Sequence, residues 1–154
     1  MEKKGSGKFV YTKLHHVGLV VKDIDKAIAY FESLGIGPFQ IRDGVRKFTI
    51  PFKGELHGKP AEWKTTISNA KLGDVELELL EPTEGPQALK ESLDAYGEGL
   101  HHIGFLVNDL DEAIERGKKA GLKIWTMSKR TDGPGFLYFE PTEIGKLAIE
   151  LRTP

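Results

Sequence analysis

Apolar residues crowd into two short runs that read almost alike, "HHVGLVV" from His15 and "HHIGFLV" from His101. Both are short and rich in aliphatic and β-branched side chains, so each predicts a buried strand. A change of period follows each run. In "IDKAIAYFESLG" and "LDEAIERGKKAG" the apolar positions return at helical spacing. Asp23 and Asp109 precede these segments as helix N-caps, and Gly35 and Gly121 end them as C′ residues.

The likeness is a duplication. Leu14–Gly35 aligns on Leu100–Gly121 without a gap at a constant offset of 86, and ten of the 22 pairs are identical. The segments "VELELLEP" (75–82) and "LAIELRTP" (147–154) align at an offset of 72 and share Glu-Leu and the final proline. Self-similarity of this kind organises the rest of the reading. Between helix and last strand, each half holds material for two more strands. In the first half these are "FQIRDGVRKFTI" and "EWKTTISNAKL", joined by a loop at 53–60; in the second they are "KIWTMSK" and "GFLYFE". Each half therefore predicts a β-α-β-β-β module. Residues 1–12 read as a mobile tail, 13–82 as the first module and 100–154 as the second. The connection 83–99 carries one short helix, Gln87–Tyr96.

Four strands alone leave exposed sheet edges. The expected fold is α+β, one compact domain in which two tandem βαβββ modules pair into an eight-stranded curved sheet, a half-barrel with helices outside.

Composition narrows the partners. The 154 residues carry 22 Lys and Arg against 23 Asp and Glu, so net charge gives no reason to expect nucleic acid or an anionic membrane. No apolar run approaches the roughly 18 residues of a membrane span, and no secretory h-region follows the first lysines, so the expected location is the cytoplasm. Cysteine is absent, which excludes thiolate chemistry and leaves nitrogen and oxygen to hold any metal.

Strand alternation then sorts the polar residues. His16 shares a face with Gly18 and Val20, and His102 shares one with Gly104 and Leu106. Glu78 and Glu150 alternate against apolar neighbours in the last strand of each module. All four converge on the concave side if His15 and His101 turn outward, which periodicity allows without deciding. A strand histidine is ordinarily a hydrogen-bonded core residue, but recurrence at the matching place in both copies points to ligation. Two imidazoles and two carboxylates suit one six-coordinate divalent ion, Co²⁺, Ni²⁺, Mn²⁺ or Zn²⁺, with two positions left for water or substrate. His57 has no assigned role. "DGPGF" (132–136) reads as a turn or as a lip over the cavity. The basic run at 116–123 reads as dipole partners at a helix end, or as a contact for an anionic cofactor tail.

With these residues in place, the chain resembles the vicinal oxygen chelate superfamily. That superfamily includes glyoxalase I, methylmalonyl-CoA epimerase, extradiol dioxygenases and the bleomycin-resistance proteins. The likeness is specific at "HHVGLVVKDIDKAIAYF", "VELELLEP", "GEGLHHIGFLVNDLDEA" and "IGKLAIEL". "ELLEP", a short helix and "GEGLHHI" in succession look most like the methylmalonyl-CoA epimerases. This resemblance implies a metal-dependent isomerase that inverts the carbon between thioester and carboxylate of a 2-substituted malonyl-CoA through an enolate. It places His16, Glu78, His102 and Glu150 at the metal and makes Glu150 one of two proton-transfer groups. For a second base on the third strand, Glu62 is the candidate. It also implies an acyl-CoA partner and a homodimer. "FEPTEIGKLAIEL" looks closer to glyoxalase-like members, so a lyase or isomerase acting on a hemithioacetal stands as the alternative. An extradiol dioxygenase ordinarily uses two histidines and one glutamate, and Glu78 argues against it. A non-catalytic small-molecule binding protein of the same fold is the remaining reading.

Overall fold

The computed structural model describes residues 10–129 and 134–154. Residues 1–9 of the expected tail and residues 132 and 133 of the "DGPGF" loop lie outside this range. The first module runs β1 (His16–Val20), α1 (Ile24–Ser33), β2 (Phe48–Leu56), β3 (Lys59–Leu72) and β4 (Val75–Glu84). A helix, α2 (Ala88–Tyr96), leads to the second: β5 (Gly99–Leu106), α3 (Leu110–Lys119), β6 (Ile124–Ser128), β7 (Phe136–Phe139) and β8 (Ala148–Arg152).

The duplication reaches down to the helix ends. Asp23 accepts a hydrogen bond from the Lys26 amide at 3.1 Å, and Asp109 accepts from the Asp111 and Glu112 amides at 2.9 and 3.1 Å. Gly35 and Gly121 follow the two helices at φ 82° and 85°. In both copies the residue after the glycine reaches back: Ile36 N to Phe31 O at 3.0 Å, and Leu122 N to Gly117 O at 2.9 Å. These are Schellman closures, which require a left-handed residue where each glycine stands.

Within each module the first strand lies beside the last, in parallel: β1 on β4, and β5 on β8. The modules meet twice, β1 antiparallel to β5 and β2 antiparallel to β6. The expected eight-stranded curved sheet is thereby present and its two ends meet, in the order β1-β4-β3-β2-β6-β7-β8-β5. The second seam is short, pairing Glu55 with Met127 and Leu56 with Thr126. Helices α1 and α3 cover the outside, over clusters built on Ile24, Ile28 and Leu79 and on Ile114, Leu137 and Leu151. The connecting helix does something else. Its Ala88 joins Trp125, Tyr138 and Ala148, while its Leu89 joins Val20 and Leu80, so α2 seals the interior between the modules.

Two strand boundaries differ from the sequence reading. The expected loop at 53–60 is strand except at residues 57 and 58, and the strand expected from Phe39 begins only at Phe48. The turn is the dipeptide His57-Gly58, at φ 51° and 77°, which suits a two-residue hairpin. Gly54 reads as a breaker in the sequence but serves close packing: a Cβ there would lie 2.1 Å from the Met127 carbonyl oxygen of β6. Phe39 instead anchors a crossing segment, fully buried against α1 and bridged to Ala70.

No helix is long and apolar enough to cross a membrane among the described residues.

Candidate metal centre

Strand register alone builds the site. Across the β1–β5 seam, His16 lies opposite Gly104, and Gly18 lies opposite His102. On its other side Gly18 neighbours Glu78 of β4, and Gly104 neighbours Glu150 of β8. Each glycine is thus flanked by one histidine and one glutamate, and the repeat relates the two sets. The imidazoles lie across the bare glycines: an added Cβ would meet Cε1 of His102 at 2.2 Å over Gly18 and Cε1 of His16 at 1.9 Å over Gly104.

This crossing brings the two Nε2 atoms to 3.1 Å of each other. Glu150 Oε2 contacts His16 Nε2 and stands 3.2 Å from His102 Nε2; Glu78 Oε1 stands 3.8 Å from the latter. All four side chains are buried. Donor atoms of His16, Glu78 and His102 lie within 4.8 Å of one another, a group able to hold a metal ion. The spacing fits. Ligands about 2.1 Å from an ion at right angles are about 3 Å apart, close to the separation of the two nitrogens. Facing lone pairs at that distance also require a proton or a cation between them.

The charges agree with a shared proton or cation. Burial pushes Glu150 up, but the His102 charge and hydrogen bonds from both imidazoles outweigh it and hold the carboxyl well below the usual range. Glu78 is raised, because burial and the Glu150 charge prevail over the histidines. His16 is raised: burial would lower it, and its bond to Glu150 overcomes that.

The outer histidines hold the inner ones. His15 Nδ1 lies 2.8 Å from His16 Nδ1, and His101 Nδ1 lies 2.9 Å from His102 Nδ1. A neutral outer ring that accepts at Nδ1 fixes the inner tautomer with Nε2 free, the usual support for a ligating histidine. His101 does not turn outward. The β1–β5 register shifts by one residue beside it, a bulge that breaks strict alternation. Its ring is buried, stacked on Trp125 at 5.3 Å and against Tyr138 at 5.1 Å. Trp125 Nε1 in turn donates to Glu91 on α2, at 3.1 Å, and Glu91 also holds His57. His57 thus ties the β2–β3 turn to α2.

A cavity of about 170 Å³ opens on the Glu78 and Glu150 carboxylates. Its walls are mostly apolar, with Phe52, Trp63, Phe136 and Tyr138 among them, and Arg152 also lines it. Phe52 stacks on Trp63 at 5.5 Å and meets Phe136 edge-on at 5.3 Å. The carboxylate named for the third strand is not brought here. Glu62 is exposed, on the opposite face of β3 from Trp63 and Thr65, which line the cavity. Tyr138 and Arg152 went unnoticed in the sequence. The alternation that places Glu150 on the inner face also places Arg152 there, two residues on.

A family model described as the Glyoxalase/Bleomycin resistance protein/Dioxygenase superfamily matches residues 15–139. The uncharacterized protein YqjC of Bacillus subtilis is 27% identical over 145 residues, covering 92% of each chain. Among solved structures, methylmalonyl-CoA epimerase from Mycobacterium tuberculosis superposes with a TM-score of 0.61 at 22% identity, over 96% of this chain and 91% of that one. Streptomyces coelicolor methylmalonyl-CoA epimerase, in complex with 2-nitronate-propionyl-CoA, gives 0.58 at 22% identity, over 93% and 97%. At these identities the structural matches speak for the fold.

Proposed function

The chain belongs to the glyoxalase/bleomycin resistance/dioxygenase superfamily, and from that premise we propose a metal-dependent isomerase that epimerises a 2-substituted malonyl-CoA thioester such as methylmalonyl-CoA. One observation carries this reading: two histidines and two glutamates, one of each from either module, converge, and the two carboxylates open on a mostly apolar cavity. His16, Glu78, His102 and Glu150 would hold one divalent ion, Co²⁺, Ni²⁺, Mn²⁺ or Zn²⁺. When bound, that ion supplies Lewis acidity at the thioester carbonyl, which acidifies the neighbouring carbon. The likeness to epimerases, one of them described with an acyl-CoA analogue, supports the substrate class.

The chain's own residues supply the rest. Epimerisation removes a proton from one face of a carbon and returns it on the other. Glu150 and Glu78 face the cavity from β8 and β4, one from each module; besides its place in the donor set, each has a second carboxylate oxygen that would take up or return the proton. Tyr138 stays a phenol, because burial and the Glu150 and Glu78 charges raise it well above its usual value. It donates a hydrogen bond to a substrate oxygen. The aromatic walls exclude water from the reacting carbon.

Solvent deuterium incorporation at the central carbon of methylmalonyl-CoA tests this directly. The metal-loaded protein is expected to catalyse exchange, and His102→Ala to lower it by about a factor of 100 or more. Native protein purified without chelator is expected to hold about one divalent ion per chain. Loaded protein that exchanges no deuterium removes the proposal. One observation favours a second reading, a glyoxalase-like isomerase: Glu62 faces out, so both carboxylates on the cavity belong to the donor set. Shifting a proton between adjacent carbons of a hemithioacetal needs only one base. Turnover of methylglyoxal with a thiol, without exchange into methylmalonyl-CoA, would select it.

A further inference from the structure

Arg152 has a charge that the chemistry above leaves unused. Along β8 the inner face presents Ala148, packed against Ala88 of α2, then Glu150 in the donor cluster, then Arg152 on the cavity wall. Arg152 lies across from Phe136, whose ring meets Phe52. Arg152 is half-buried on a mostly apolar wall that also carries Phe52, Phe136 and Tyr138, and Glu78 feels its charge without touching it. Two other arginines hold surface glutamates, Arg46 on Glu32 and Arg116 on Glu112. The Arg152 side chain has no hydrogen bond or ion pair among the described residues.

Removing a guanidinium from water without a partner is costly, and its planar fork matches a carboxylate. The charge count points the same way. Glu78 and Glu150 contribute two negative charges, a divalent ion would cancel them, and Arg152 leaves the loaded cavity one positive charge in excess. A single carboxylate restores neutrality. The cavity's size adds a limit. At about 170 Å³ it is smaller than the roughly 300–1,000 Å³ of typical ligand pockets. It takes a short acyl unit and leaves any long thioester tail outside.

We infer that Arg152 binds the carboxylate of the substrate, and that the site selects short acyl compounds with a carboxylate beside the reacting carbon. This deepens the metal-centre reading, on which the charge count rests.

Malonate and its neutral counterpart malonamide, titrated calorimetrically into Co²⁺-loaded protein, test the inference without any turnover. Charge-assisted hydrogen bonds of this kind are worth about 10- to 100-fold in affinity. Malonate is expected to bind Arg152→Ala at least about tenfold more weakly than native, with Arg152→Lys in between. Cobalt content and malonamide affinity are expected to match native in both variants. Malonate affinity unchanged in Arg152→Ala at native cobalt content would overturn the assignment. So would an equal loss for malonamide, which would mark a packing role. The lysine variant retains the charge and guards against a misfolded alanine protein. The two readings fail separately. Arg152-dependent malonate binding without deuterium exchange keeps the carboxylate site and removes the epimerase; exchange with malonate binding indifferent to Arg152 does the reverse.

Discussion

Gly104→Ala is expected to lose metal binding altogether, and Gly18→Ala to do the same from the other side of the seam. A methyl group on Gly104 would sit 1.9 Å from Cε1 of His16, and one on Gly18 would sit 2.2 Å from Cε1 of His102, both inside the 3.0 Å that real Cβ contacts respect. The obstructed group is not the far end of a flexible chain. Each ring is fixed by the Nδ1 contact to its neighbouring histidine and by strand pairing behind it. The ring must therefore swing away from the centre, and its Nε2 leaves the donor set. Overpacking of this kind costs about 1–3 kcal/mol in stability, so the variants should still fold at moderate temperature. Metal content per chain, measured beside far-ultraviolet circular dichroism, checks both statements. A folded Gly104→Ala protein with native metal content would show that the histidines do not ligate from the crossed position.

These glycines also show how far the sequence carries. The duplicated His-x-Gly reveals a repeat, two strands and two capped helices, because propensity, capping and period are local properties. It also shows both histidines and both glutamates, because recurrence in two copies singles them out. Why the glycine recurs with the histidine cannot be read locally, since the ring it admits belongs to the other module. The bulge at His101 is hidden for a similar reason: it is a property of β1–β5 register, which no single strand specifies. The β2–β3 hairpin was misplaced because Gly54 and Pro60 look like breakers, whereas Gly54 makes room for the β6 backbone. Glu62 looked eligible by residue type, and the face it occupies is set by pairing with β2. Arg152 is legible in the sequence, one alternation beyond Glu150, but no counterpart recurs in the first module to single it out.

The metal-free protein is expected to lose about 2 kcal/mol more stability than His101→Phe when pH falls from 7 to 5. His101 is lowered from 6.5 to about 3, first by burial and then by the neighbouring His102 charge. In the unfolded chain it takes a proton near the ordinary value; in the folded chain it stays neutral until about 3. Between those values the unfolded state binds more protons. Stability is therefore untouched above the ordinary value and falls as pH drops below it, reaching a loss of about 5 kcal/mol near the folded value. Phenylalanine keeps a ring against Trp125 and Tyr138 and removes a buried Nε2 that has no hydrogen-bond partner. His16, Glu78 and Glu150 titrate in both proteins, so the difference between them isolates position 101. Urea midpoints at the two pH values supply the measurement, and parallel curves would mean that water reaches the folded ring. The same substitution acts on the metal in the opposite sense. Neutral His101 accepts from His102 at Nδ1 and leaves the His102 Nε2 lone pair free, and phenylalanine cannot accept. Metal affinity is expected to fall about 10- to 100-fold in the variant that better resists acid. A ring kept only for packing would give the first effect without the second.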